Sequence, residues 1–142
     1  MDLIARAVYD LAALDALRAG VLLGLKVDLF SNDIIPNRDT DPADLDVATY
    51  AGYAQATATW TAASISDDGH PEIVSNQMIF RPTGSSGSTV AYGLYCTTDP
   101  GGIVAFMARF DNAPIPTASA ADDLRITLRV RIVNGGIVVT VS

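Results

Sequence analysis

The C-terminal segment constrains the fold more tightly than any other part of the chain. Apolar residues alternate strictly with polar ones from Leu124 to Ile132, which is typical of a strand with one buried face. The polar positions include Arg125, Arg129 and Arg131. The apolar face must therefore point inward, because a one-residue slip would bury three arginines. Asn134-Gly135-Gly136 then predicts a primed hairpin turn, with Ile137–Val141 as the returning strand.

The same period of two recurs along the chain and predicts an all-β protein. Leu23 to Leu29 alternates apolar residues with Gly24, Lys26 and Asp28, which indicates a half-buried strand. Further strands are predicted at Tyr53–Ala62, Glu72–Phe80 (Val74, Met78 and Phe80 on one face, Ile73 and Ile79 on the other), Thr89–Thr97 and Ile103–Phe110. We predict an antiparallel β-sandwich or jelly-roll-like barrel of about seven or eight strands, with one N-terminal α-helix.

Residues 2–19 predict that helix. The apolar positions follow the spacing i, i+3, i+4, i+7, and they are Leu3, Ile4, Ala7, Val8, Leu11, Leu14 and Leu17. Gly20 is a plausible stop. We predict one domain over residues 1–142, with a β-domain at 21–142. Residues 1–20 form either a helix docked on the core or an arm that packs on a neighbouring subunit.

The charge of the chain bears on its partners. The net charge is −7, from 16 acids and 9 bases. Nucleic-acid binding needs a concentrated basic face, and the candidate is the row Arg125, Arg129 and Arg131, which has no interleaved aromatics. We interpret this row as a solvated face, or as an interface with an acidic partner such as the acidic loop of an identical subunit. We predict no direct nucleic-acid partner, no membrane span and no export signal.

The segment from Ser31 to about Thr49 predicts a long polar loop. Pro36 and Pro42 interrupt it, and loops of this length in a compact domain are usually functional or mobile. It is crowded with aspartates: Asp33, Asp39, Asp41, Asp44 and Asp46. Their spacing lacks the central glycine and terminal glutamate of a calcium-binding EF-hand loop, so Asx-type turns are the better interpretation.

Other chemically active side chains do not form a recognisable motif. Asp67-Asp68-Gly69-His70 is explained by a turn. Glu72 is the single glutamate, so nothing selects a pair of catalytic acids. Cys96 is expected to be a buried small hydrophobe. The aromatic residues are expected in the core or as a sugar-binding platform, and they are Tyr50, Tyr53, Trp60, Tyr92 and Tyr95. We predict no enzyme, and no catalytic, cofactor-binding or metal site.

The order of elements resembles small virion-associated structural proteins of tailed phages. The matching residues are Leu29-Phe30-Ser31-Asn32-Asp33, Pro36, Asp39-Thr40, Tyr50 to Ala54, Trp60, Ala91-Tyr92-Gly93-Leu94-Tyr95 and Ala108-Arg109-Phe110-Asp111. The resemblance covers most of residues 5–132. Ala108 stands where an acid is expected, and the hairpin from Ile132 to Ser142 is additional.

The resemblance implies a virion protein made in the host cytoplasm. We expect a capsid decoration or cement protein on the head surface, bound to the major capsid protein as a homo-oligomer, with a trimer as our guess. The N-terminal helix and the Ser31–Thr49 loop are the expected contacts. Two alternatives remain: a carbohydrate- or receptor-binding module of a tail or fibre, with an exposed patch of Tyr50, Tyr53 or Trp60, and a hydrolase of unrecognised type.

Overall fold

The computed structural model describes residues 7–99 and 102–142. Its one α-helix, α1, spans Ala7–Ala19, and a short 3₁₀ helix spans Pro42–Asp44. The strands are β1 (Lys26–Phe30), β2 (Ala56–Thr57), β3 (Ser64–Ile65), β4 (Pro71–Val74), β5 (Met78–Phe80), β6 (Val90–Ala91), β7 (Gly93–Thr97), β8 (Val104–Arg109), β9 (Ile115–Pro116), β10 (Leu124–Ile126), β11 (Leu128–Val133) and β12 (Gly136–Val141).

These strands form two four-stranded sheets and two small ones. The orders are β2-β1-β7-β8, β12-β11-β4-β3, β10-β5 and β6-β9. The pairings in the two four-stranded sheets are antiparallel. This confirms the predicted fold class, an all-β antiparallel sandwich with one N-terminal helix.

The chain divides into two compact units. The first, the helix unit, holds residues 7–23, Ala58–Met78 and Ile126–Ser142; the second, the loop unit, holds the described residues of Gly24–Thr57 and Ile79–Arg125. Two of the boundaries fall within β5 and β10.

The helix unit packs α1 on the sheet β12-β11-β4-β3, chiefly against β4 and β11. Leu14 is fully buried, and Leu11 and Leu17 are half-buried. Val8, which the helical spacing assigns to the same stripe, is 60% exposed. The periodicity gives the direction of the stripe, but the extent of the covering sheet decides how much of it is buried. Residues 2–6 of the predicted helix lie outside the described residues.

The C-terminal hairpin of the helix unit follows the prediction. β11 and β12 pair from Leu128↔Val141 to Val133↔Gly136. Asn134 and Gly135 have φ values of 51° and 78°, which a primed turn requires at both central positions. The inward face of β10 and β11 is fully buried at Ile126, Leu128 and Val130.

The loop unit is built on β1, which is buried on both faces. Val27 and Leu29 are fully buried, as predicted for the odd positions of an inward face, and Phe30 is fully buried as well. Asp28 was expected on a solvated face but is only 6% exposed, because residues from other parts of the loop unit cover that face. Gly93 of β7 lets the Phe30 ring approach closely, since a Cβ there would lie 2.4 Å from Phe30 Cζ.

Several predicted strands are interrupted. Tyr53–Ala62 is reduced to β2 and an isolated bridge between Trp60 and Ser75. Glu72–Phe80 is divided into β4 and β5 at Ser75. The Ser75 hydroxyl accepts from the Leu128 amide at 2.8 Å and donates to the Asn76 carbonyl, so a side chain takes the place of a backbone acceptor in the ladder. The interruption shifts the alternation by one residue, so Ile73 is buried and Val74 only half-buried, contrary to the predicted faces.

The two remaining interruptions occur at single residues. Tyr92 separates β6 from β7, and its amide donates to the Phe30 carbonyl at 2.8 Å. Thr127 separates β10 from β11, and its backbone amide and carbonyl exchange hydrogen bonds with the backbone of Ser142. Twelve short strands over the described ranges therefore replace the seven or eight longer ones that the periodicity predicts.

Candidate functional site

The Ser31–Thr49 loop is held at its base by the Asn32 side chain. The Asn32 amide nitrogen donates to the Asp44 carbonyl at 2.7 Å, and its amide oxygen accepts from the Asp46 backbone at 2.9 Å. Backbone bonds join Ser31 to Asp46 and Ala48 to Leu29, and Phe30 and Val47 form a bridge. An Asn at this position thus ties both ends of the loop together.

Arg109 fastens the same loop to β8. Its guanidinium forms an ion pair with Asp33 and donates to the Ile34 carbonyl at 3.3 Å. Its Cζ also lies 5.1 Å from the centre of the Tyr92 ring, within the range of a cation–π contact. We call Asn32, Asp33, Tyr92 and Arg109 the loop clamp. These four residues all belong to the segments on which the phage resemblance rests.

The other loop aspartates serve local structure. Asp41 and Asp44 form a capping box for the 3₁₀ helix, with Asp41 accepting from the Ala43 amide at 2.9 Å. The Asn37 side chain accepts from the Asp39 amide at 2.8 Å, an Asx-type turn of the predicted kind. Over residues 7–99 and 102–142, no three acidic, histidine or cysteine side chains gather as a metal-binding group.

The outer part of the loop presents an apolar and cationic surface. Ile35 is 76% exposed, and Arg38, three residues later, is exposed as well. A shallow depression of about 250 Å³ is lined by Pro36, Asn37, Arg38 and Met107 of β8. We call Ile35–Arg38 the loop tip; it combines a large apolar side chain with an arginine on a backbone fixed at its base.

Beneath the loop, Asp28 is the centre of a buried polar cluster. Its carboxylate accepts from the Tyr53 hydroxyl and from the Gln55 side-chain amide, the latter at 2.6 Å. The Tyr53 hydroxyl also accepts from the Leu29 amide at 3.1 Å. Burial, followed by the hydrogen bond to Asp28, raises the pKa of Tyr53. Both carboxylate oxygens are satisfied, so the cluster stabilises the loop unit without leaving a reactive group.

The remaining loop-unit aromatics lie in or beside the core. Tyr50 is 3% exposed, its ring meets the Tyr53 ring edge-on at 5.1 Å, and Tyr53 stacks on Phe80 at 6.3 Å. Burial raises the pKa of Tyr50 to about 12, and its hydroxyl has no hydrogen-bond partner within the described part of the chain. In the helix unit, Trp60 is half-buried and donates to the Leu22 carbonyl at 2.9 Å. The buried Tyr50 cannot contribute to an exposed platform for sugars.

Cys96 is fully buried in β7, as predicted. Burial, with a smaller contribution from the nearby Asp28 charge, raises the pKa of its thiol to about 12. A thiol with this pKa is almost entirely protonated near neutral pH, so it is a poor nucleophile.

The predicted arginine face becomes an ion-pair network in the helix unit. Glu72 lies within 3.3 Å of both Arg129 Nη1 and Arg131 Nε, and Arg131 also pairs with Asp68 and donates to the Ser66 hydroxyl. The bond from Arg131, and then that from Ser66, lowers the pKa of Asp68 to about 2. These groups line an open depression of about 410 Å³.

The network corrects one part of the prediction. Arg125 was placed in the same row, but it lies in the loop unit, where it pairs with Asp123 at 3.3 Å. The sequence also gave no reason to select Glu72, which is 7% exposed. Glu72 meets Arg131 because β4 pairs with β11 in that register, and nothing in the local sequence of either strand specifies the pairing.

Comparison with known proteins supplies no relative. No protein-family model, curated protein or solved structure matches this chain. None of the described helices is long and apolar enough to cross a membrane.

Proposed function

We propose that this chain is a non-enzymatic structural protein of a tailed-phage virion, and specifically a capsid decoration or cement protein. It binds the outer surface of the major capsid protein lattice as a homo-oligomer. Its mechanism is interfacial: many copies each bury a modest area, and their sum reinforces the shell against internal pressure.

The observation that carries this proposal is the loop clamp. The residues behind the phage resemblance include those that fix the loop base: Asn32 between its two arms, and Arg109 between Asp33 and Tyr92. A loop that is already fixed loses less conformational entropy on binding, which favours affinity. The four residues of the loop clamp therefore act together: they hold the loop base so that the loop tip is presented to a partner.

The composition of the loop tip supports binding to a protein surface. Ile35 supplies apolar area and Arg38 supplies a cation with several donors, and arginines and large apolar side chains often dominate binding energy. No comparable observation favours a sugar-binding module, because Tyr50 is buried and the Tyr53 hydroxyl bonds to Asp28.

The test combines imaging with a matched pair of variants. Virions from the encoding phage are imaged at side-chain resolution, and purified protein is added to capsids that lack it, with occupancy measured by co-sedimentation. Ile35→Asp is expected to reduce capsid affinity at least about tenfold, since losing a central contact costs about 1.4 kcal/mol or more. Ile103→Asp, at a side chain 69% exposed outside the loop, is expected to bind as the wild type does.

Three results would contradict the proposal. Density for the chain on a tail fibre would favour the receptor-binding alternative. Absence of the chain from the virion would remove a structural role. Equal loss of occupancy in both variants would remove the loop tip from the interface.

A further inference from the structure

The outer edge of β12 is a long and exposed strand edge. β12 ends its sheet, and its register with β11 runs without a bulge over six residue pairs. Ile137, Val138 and Val141 are 59%, 41% and 39% exposed. The strand contains no charged residue and no proline. Edges of this kind offer unpaired backbone groups to another strand, and proteins usually blunt them with charges, prolines or bulges.

The register shows which backbone groups of β12 point away from β11. Thr127 and Ser142 exchange amide-to-carbonyl bonds of 2.9 and 3.0 Å, so they form a hydrogen-bonded pair. Such pairs recur at every second residue, which places the next ones at Thr140 and Val138 of β12. The N–H and C=O groups that point away from β11 belong to the residues between: Ile137, Val139 and Val141.

Among the strands that the structure describes, β8 is the other long strand at the end of a sheet, and its surroundings differ. β8 also spans six residues and ends its sheet, but its residues are all half-buried and it carries Arg109. Arg109 donates to the Ile34 carbonyl, and Met107 lines a depression with residues of the loop tip, so the Ser31–Thr49 loop lies against these two residues of the strand. The strands β2 and β3, which end the same two sheets on their other sides, have two residues each.

We propose that β12 pairs antiparallel with β12 of a second copy of this chain, about a two-fold axis at Val139. In this register Val139 meets its own copy, and Ile137 lies opposite Val141 of the partner subunit. Each outward N–H and C=O group then meets its complement, and the two β12-ended sheets become one continuous sheet.

The charge around this edge suits an identical partner. The cations of β11, the strand paired with β12, are Arg129 and Arg131, and Glu72 and Asp68 pair with them. Across the axis, the β11 strands of the two copies would be three strand spacings apart, about 14 Å. A two-fold contact therefore keeps Arg129 and Arg131, which are already paired, apart from their equivalents in the other copy, although the net charge of −7 weakens association at low salt.

The size of the contact sets its expected strength. A six-residue edge with flanking side chains lies at the small end of specific interfaces, so the dimer is expected to dissociate on dilution. In a virion, where many copies are held side by side, the same weak contact would gain strength from its high local concentration.

The experiment measures the mass of the full chain in solution by sedimentation equilibrium from about 1 µM to about 1 mM, which spans the affinities of weak contacts. The wild type is expected to shift from monomer to dimer. The double variant Ile137→Lys with Val141→Lys sets like charges directly opposite each other and is expected to stay monomeric. So is the double variant Ile137→Glu with Val141→Glu.

An equimolar mixture of these two variants tests the register itself. It is expected to dimerise, because each lysine then lies opposite a glutamate. The matched control, Ile79→Lys with Ile103→Lys, adds the same charge at side chains that are 48% and 69% exposed and do not belong to β12, and is expected to dimerise as the wild type does.

Circular dichroism and Trp60 fluorescence verify that each variant is folded. If a lysine variant unfolds, Val139→Pro replaces it, because the Val139 amide is not used in pairing with β11 and proline is tolerated at such edge positions. The proposal would be overturned by a wild type that is trimeric or that stays monomeric at every concentration. It would also be overturned if the lysine variant or folded Val139→Pro dimerised, or if the mixture of the lysine and glutamate variants stayed monomeric. None of these results depends on capsid binding.

Discussion

Asp28 is a buried acidic residue at the centre of the polar cluster inside the loop unit. The residue is 6% exposed, and the Tyr53 hydroxyl and the Gln55 side-chain amide donate to its carboxylate. A buried charge without donors is costly, whereas one that is fully bonded fixes the positions of its partners. Asp28 therefore holds Tyr53 against β1, and through Tyr53 the start of the chain that follows the loop.

Two neighbouring tyrosines allow this role to be tested at single atoms. Tyr53→Phe removes a donor from Asp28 and an acceptor from the Leu29 amide, so it is expected to lower the free energy of unfolding by about 2–3 kcal/mol. Tyr50→Phe removes a buried hydroxyl that lacks a partner and is expected to raise it by about 1 kcal/mol. Urea titration followed by Trp60 fluorescence measures both. Equal destabilisation by the two substitutions would refute the assigned roles.

At the scale of elements, the contact between β1, β7 and β8 depends on a residue without a side chain. A Cβ at Gly93 would lie 2.1 Å from the Ala108 carbonyl oxygen and 2.4 Å from the Phe30 ring. Phe30 is also the residue at which β1 ends and the clamped loop begins. The close approach at Gly93 therefore positions the loop base as well as the sheet.

Gly93→Ala is accordingly expected to lower the free energy of unfolding by about 3 kcal/mol, because neither a strand backbone nor a fully buried ring can move away freely. The control is Gly84→Ala, where the new Cβ would meet only the Ala51 Cβ at an ordinary 3.6 Å; it is expected to change stability by less than about 0.5 kcal/mol. Thermal unfolding by circular dichroism compares the two. A Gly93→Ala protein as stable as the control would mean that the sheet adjusts.

At the scale of the whole molecule, the two units are not separable segments of sequence. The chain passes between them after Leu23, Thr57, Met78 and Arg125. If residues 1–142 form a single domain, as predicted, the helix unit and the loop unit should unfold together. The composition offers a direct test, because the single tryptophan lies in the helix unit and the single cysteine in the loop unit.

We expect one cooperative transition, reported identically by both probes. Cys96 is buried and its pKa is raised to about 12, so a thiol reagent should label it only after the loop unit opens. Trp60 fluorescence follows the helix unit. Coincident urea midpoints are the two-state result, whereas thiol labelling at a clearly lower urea concentration than the fluorescence change would show two domains.

Features that depend on near neighbours in the chain could be predicted from the amino-acid sequence. The alternation around Val130, the turn at Asn134-Gly135 and the helical stripe through Leu14 are local, because strand period, positive φ and helical spacing act within a few residues. Four features became visible only in the folded structure: the burial of Asp28, the pairing of Glu72 with two arginines, the division of Glu72–Phe80 at Ser75, and the position of β12 at the end of its sheet. These features depend on which distant segments pair and in what register, and the local sequence of a strand does not specify the strand with which it pairs.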